Sequence, residues 1–311
     1  MKRIILAVIF AVSVLILPIL VKASHTSAQQ SFQPFYNSTN LTGGNFSLFV
    51  KPPATDNYTI IVSGILDSQS AGIAASLNLT VNGTSFSFIS YKAAGGSSVY
   101  FLGTKRMQLN ASLEYNISAN PSISNKVREL TMMAVNLNMS FYNESEGNKT
   151  HAGTTEELMM DLFFTVDADH AGDYLIIYDA GGNSSLTTGE VSAFVYGNWT
   201  PGTRIMNLNF TDDDTMPLSG FHIQNLQAGA YKINMTKKAY NAGDNVTLQH
   251  AHIHAIPLRL FPNVYFNSSN GTTSKGGTAE INILNNSYTP TAGKGHWKLF
   301  SLEYGNEDVT Y

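Results

Sequence analysis

The chain contains no cysteine. That absence excludes a disulfide scaffold, thiolate-bound zinc, iron–sulfur clusters and thiol catalysis. Charge is scarce too: Asp, Glu, Lys and Arg make up 13% of the residues, about half the usual share. With a net charge of −4 there is no basic footprint for nucleic acid and no polybasic membrane patch. Strong helix signals are missing as well. The best is Thr154 with Glu157 three residues on, a capping pattern for one short turn over Thr154–Met160. What is there is an apolar share of 43% in 311 residues, which excludes wholesale disorder. Asn, Ser and Thr, 86 residues in all, take the place of charge on the surface.

Two features give an address. Lys2 and Arg3 precede an apolar run from Ile4 to Val21, interrupted only by Ser13 and followed by small residues with exits at Ala23 or Ala28. This order reads as a secretory signal over residues 1–28, with an uncleaved N-terminal anchor as the alternative. The mature chain is then extracellular or at the cell surface. The second feature is the sequon Asn-x-Ser/Thr. It occurs at Asn37, Asn40, Asn45, Asn57, Asn78, Asn82, Asn110, Asn116, Asn138, Asn143, Asn148, Asn183, Asn198, Asn209, Asn234, Asn245, Asn267, Asn270 and Asn285. That is 19 of 29 asparagines, against about 5 from the Ser and Thr content alone, so N-glycosylation is expected. In Leu77–Asn82 the asparagines alternate with apolar residues, which puts them on the solvent face of a strand.

The chain also repeats itself. Leu48–Val50 and Asn57–Ile61 match Phe164–Val166 and Asp173–Ile177, offset by 116. Leu77–Val81 matches Val191–Val195 at 114, and Asn125–Tyr142 matches Asp244–Phe261 at 119. Within each copy the apolar period is two, with Gly, Pro and Asn turns between runs. Met133, Val135, Leu137, Met139 and Phe141 share one face of a last strand spanning 130–142. The fold expected is all-β: two tandem antiparallel β-sandwiches, jelly-roll-like, with a C-terminal β extension. The boundaries are a signal at 1–28, an extended arm at 29–45, sandwiches at 46–148 and 149–262, and the extension at 263–311.

The segments Ala171–Ile177 and Leu226–Ile233, with the long final apolar strand, resemble jelly-roll domains of the carbohydrate-binding-module type. Dense sequons without cysteine resemble surface proteins of archaea, and the same strand cadence recurs in their surface filaments and sheets. The resemblance implies a structural surface protein that self-associates into a polymer or lattice. The alternative is a tandem carbohydrate-binding or adhesion module for surface glycans, with aromatic platforms at Tyr91, Tyr100, Trp199 and Trp297.

The sharpest local motif is His250-Ala251-His252-Ile253-His254. At strand spacing the three rings share a face, with alternate side chains about 7 Å apart. Two of them could chelate zinc or copper, with His222 as third ligand, or His170, or an acid from Asp212–Asp214. At the 119 offset these histidines replace Thr131, Met133 and Val135, the last two on the first copy's apolar face, which would give the second sandwich a polar interior there. The alternatives are hydrogen-bonded core histidines or a wet sheet edge. Asp167-Ala168-Asp169 has partial calcium-loop spacing but also fits the turn before a strand. Enzyme signals are weak. The His-x-His of cupins requires a Glu where this chain has Ile256 and Pro257. A glycosidase pair cannot be picked from Glu114, Glu129, Glu190 and Asp179. The chain is therefore read as non-enzymatic.

Overall fold

A computed structural model describes residues 35–42, 44–67, 75–91, 98–122, 126–137, 139–185, 191–199, 204–210 and 215–260. All of them lie in one compact unit, Pro34–Tyr311. Among them there are seventeen strands, two short 3-10 turns and no α-helix. The alternation that predicts strands is visible in their burial. In Glu157–Val166, Met160, Leu162, Phe164 and Val166 point inward while Phe163 and Thr165 face solvent. Glu157 thus begins a strand, and the helical turn expected over Thr154–Met160 does not form.

The first sandwich joins two antiparallel sheets. One runs in the order β1 (Phe35–Thr42), β8 (Lys126–Asn136), β3 (Asp56–Asp67), β6 (Ser98–Leu109). The other runs β2 (Phe46–Val50), β7 (Tyr115–Pro121), β4 (Ala75–Val81), β5 (Thr84–Tyr91). The second sandwich has a sheet β10 (Lys149–His151), β17 (Asn245–Pro257), β12 (Gly172–Ser185), β15 (Thr215–Leu226), with β9 (Phe141–Ser145) also on β17. Its partner sheet is β11 (Glu157–Val166), β16 (Gly229–Ala239), β13 (Val191–Gly197), β14 (Arg204–Phe210). From β2 to β8 and from β11 to β17 the two sandwiches follow the same strand order.

Two boundaries differ from those expected. β9 hydrogen-bonds β17, so the chain passes into the second sandwich at Leu137–Ser140 rather than after residue 148. Phe141 accordingly stacks on Phe164 of the second core, with centroids 4.7 Å apart, and Met139 is exposed. The strand expected over 130–142 is therefore two strands. Within the arm expected at 29–45, Phe35–Thr42 pairs with β8 of its own chain. Residues 1–28 and 263–311 fall outside the described residues.

A bulge decides which face each side chain takes. In β8, Val127 lines the first core, and so do Leu130, Met132 and Ala134. The parity switches across Glu129, whose φ is 50° and which breaks the register with β3. One extra residue in a strand swaps its faces. Met133 and Val135 are therefore turned to the outer face of the sheet, opposite to the face expected. β17 repeats the device: Val246 and Leu248 line the second core, then Ala251, Ile253 and Ala255, with the switch at His250, φ 47°. The two bulges correspond at an offset of 121, not 119.

Much of the outer face of the β17–β12–β15 sheet is covered by the first sandwich. β12 and β15 pack against β5 and β6 of the first sandwich, where Leu102 and Thr104 are buried. A polar cluster sits at this junction.

Candidate functional site

The bulge at His250 places His252 and His254 on the outer face of their sheet, opposite Asp179 and Ile177 of β12. The two histidines therefore stay out of the interior of the second sandwich and are sealed by the first sandwich instead. Both rings are fully buried. His252 Nδ1 donates to Asp179 Oδ2 at 2.8 Å. Thr104 of β6 donates its hydroxyl to Asp179 Oδ1 and accepts from His254 Nε2 at 2.9 Å. The network assigns the protons: on Nδ1 of His252 and on Nε2 of His254. Each ring keeps one nitrogen, His252 Nε2 and His254 Nδ1, with no hydrogen-bond partner. Burial above all, with the nearby Arg106 charge, holds His254 well below the ordinary histidine range, so its ring is neutral.

The β9 segment covers the rings. Tyr142 lies nearly parallel to His252 at 6.3 Å and tilted over His254 at 4.4 Å. Its hydroxyl donates to Glu144, and burial together with that bond pushes the phenol far above its usual range. Lys105 of β6 bridges Glu144 at 2.8 Å and also contacts Glu146. Burial opposes its charge, but the two carboxylates outweigh burial and hold the ammonium above the ordinary lysine range. The same ammonium holds Glu146 below the ordinary carboxylate range against the opposing effect of burial. Arg106 donates to the Ser140 carbonyl at 2.6 Å, tying β6 to the passage between sandwiches.

The structure redistributes the residues singled out in the sequence. His250 is the bulge residue, and its Nδ1 lies 3.3 Å from Glu146 instead of beside His252. His222 pairs with Ile176 of β12, whereas His254 pairs with Ile177, so the two rings are on opposite faces of the sheet. His222 stacks on Trp199 at 6.1 Å and 4°. His170 bonds Asp167 across the 3-10 turn Ala168–His170, so the Asp167 segment is the turn before β12. Asp212–Asp214 are outside the described residues. Of the acids weighed as a glycosidase pair, Asp179 is buried in the network while Glu114 and Glu129 are exposed. Glu190 is outside the described residues. Of the aromatic platforms, Tyr91 is buried and Trp199 packs on the second core. Tyr100 is half-buried, and Trp297 is outside the described residues.

Sequence reasoning missed Thr104, Tyr142, Glu144 and Glu146. Glu144 and Glu146 do alternate, two residues after an aromatic, but nothing local marks their partners on β17 and β6. It also missed Phe49 and Phe163, exposed by 60% and 68%. They are paired with Asn116 of β7 and Lys232 of β16, so the pairing matches Phe49 with Phe163 at an offset of 114 and not the 116 read for these strands in the sequence.

No family model matches the chain, and no curated protein matches it. Among solved structures, one similar chain is the N-terminal CBM22 tandem domain of Xyn10C from Paenibacillus barcinonensis. It is 8% identical, with a TM-score of 0.24, covering 72% of this chain and 92% of that one. The stem and receptor-binding domain of the bacteriophage PM2 spike protein is 10% identical, with a TM-score of 0.23, covering 75% and 98%. A structure of infectious bursal disease virus is 12% identical, with a TM-score of 0.25, covering 75% and 74%. Scores this low assign nothing to the present chain. On its own architecture the chain is an all-β protein built of antiparallel β-sandwiches, and that fold by itself names no function.

Proposed function

We propose that this chain is a secreted, N-glycosylated structural protein, a subunit or component of an extracellular filament, sheath or surface layer like those its sequence resembles in archaea. The observation that carries this reading is where the sequons lie. Side chains are described at Asn37, Asn45, Asn57, Asn78, Asn82, Asn110, Asn116, Asn143, Asn148, Asn183, Asn198, Asn234 and Asn245, and none is buried. A glycan needs that access. Sequons at Asn40, Asn138, Asn209, Asn267, Asn270 and Asn285 have side chains outside the described residues. The matched exposed rings of Phe49 and Phe163 add a repeated apolar contact point, one on each sandwich. Lys232 sits over the Phe163 ring at 4.6 Å.

Electron microscopy of the secreted protein, alongside glycopeptide mass spectrometry, tests the proposal. Filaments or sheets built from glycosylated chains are the expected result. Phe49→Ser with Phe163→Ser should reduce assembly while leaving each chain folded, since exposed substitutions shift stability by about 0.5 kcal/mol or less. Dispersed monomers would overturn the structural reading. If such monomers bound immobilised polysaccharide, the carbohydrate-binding alternative would replace it.

A further inference from the structure

The geometry points to a divalent metal site of zinc type, formed by His252, Glu144 and Glu146 and distinct from the histidine set read in the sequence. One ligand atom from each of these three residues lies within 4.8 Å of the other two. Around zinc, with bonds near 2.1 Å, tetrahedral ligands stand about 3.4 Å apart. The set therefore has to close by about 1.4 Å, within reach of two glutamates that are not buried.

Two glutamates near a histidine would not carry the proposal alone. The fully buried His252 Nε2 does. Asp179 accepts the Nδ1–H hydrogen bond, which leaves Nε2 as a lone pair that no donor meets. A carboxylate that fixes the tautomer of a ring whose other nitrogen is bare is the support arrangement of metal-binding histidines. Asp179 is in turn fixed by Thr104. Charge agrees: Asp179, Glu144 and Glu146 outnumber Lys105 and Arg106 when the histidines are neutral. The Lys105 ammonium now bridges the two glutamates and is the metal's competitor. Glu146, whose side chain is 45% exposed, marks the way in from solvent.

Binding would displace Lys105 and pin the β9 segment, where the chain crosses between sandwiches, onto β17. The test is titration calorimetry of the chelator-stripped full chain with Zn²⁺ alone, with circular dichroism confirming that each variant folds. One Zn²⁺ per chain is expected. Glu144→Gln and Glu146→Gln should each weaken it at least tenfold; both sites are accessible enough to tolerate the change. Lys105→Met should tighten binding at least tenfold, and His222→Gln should leave it unchanged. Asp179→Asn should weaken it about 10- to 100-fold as a positioning residue. The proposal is overturned if neither the parent nor Lys105→Met binds stoichiometrically. It is also overturned if binding survives both glutamine substitutions, or depends on His222.

Discussion

Thr104→Val probes the junction with the least collateral change, because valine keeps the shape of threonine and removes only the hydroxyl. Thr104 is fully buried, and its oxygen serves two partners at once, Asp179 Oδ1 and His254 Nε2. With valine, His254 loses the only acceptor for its Nε2 proton, and its Nδ1 is already unpartnered. Asp179 keeps His252 but loses its second donor. A buried polar group stripped of its partner costs about 1–3 kcal/mol, more when charged. Asp179 retains one bond, so the sum is about 2–4 kcal/mol. Thr104→Ser keeps the hydroxyl and removes one buried methyl, at a cost of about 1 kcal/mol. Urea unfolding of both variants and the parent, in one buffer without added metal, gives the comparison. Valine should lower the midpoint clearly more than serine. If valine lies within about 0.5 kcal/mol of the parent, or if serine is the more damaging change, the network does not hold the junction.

Two further substitutions test the cores. A Cβ on Gly103 would run into Leu79 Cδ1, so Gly103→Ala should cost about 1–3 kcal/mol by overpacking; a neutral result in thermal unfolding would show that Leu79 yields freely. Lys237 is wholly enclosed on β16, with its ammonium donating to the Lys149 carbonyl at 2.8 Å. Burial holds it below the ordinary lysine range, so the unfolded chain binds that proton more tightly than the folded one. Its penalty is full below the folded value and fades as pH rises toward the unfolded value of about 10.4. The parent should therefore gain stability relative to Lys237→Met as pH rises toward about 10.4, and a difference that does not change with pH would refute this.

What could be read in the sequence was whatever repeats over short range. Leu77, Leu79 and Val81 alternate with Asn78 and Thr80, and they face the first core as the period of two requires. The bulges were not readable. Backbone with positive φ is ordinarily marked by glycine or asparagine. Here Glu129 and His250 occupy it, and nothing in either residue signals a change of face. Strict alternation therefore put Met133 in the wrong layer and grouped His250 with His252. The junction was unreadable for another reason. Thr104 and His254 are 150 residues apart, and their contact depends on how one sandwich seats on the other. A threonine on one strand carries no sign that a histidine on another will need its oxygen.

Two of the sequons show where counting motifs stops being enough. Asn82 follows β4, and its backbone donates to the Asn116 carbonyl at 2.8 Å while its Oδ1 accepts from the Asn116 backbone, also at 2.8 Å. Asn198 follows β13 and does the same with Lys232, at 3.0 and 2.9 Å. In each case the side-chain oxygen stands in for a backbone carbonyl and carries the ladder one step past the strand end. Asparagine suits this place because its short amide reaches its neighbour, and at Asn82 it also tolerates a φ of 50°. The fold thus supplies its own reason for asparagine at matched positions of both sandwiches. At Asn82 the ladder uses Oδ1, the end of the amide opposite the nitrogen that a glycan would take. At Asn198 Nδ2 is engaged too, donating to the Ala230 carbonyl at 3.4 Å, and an N-linked amide still has one N–H for that bond.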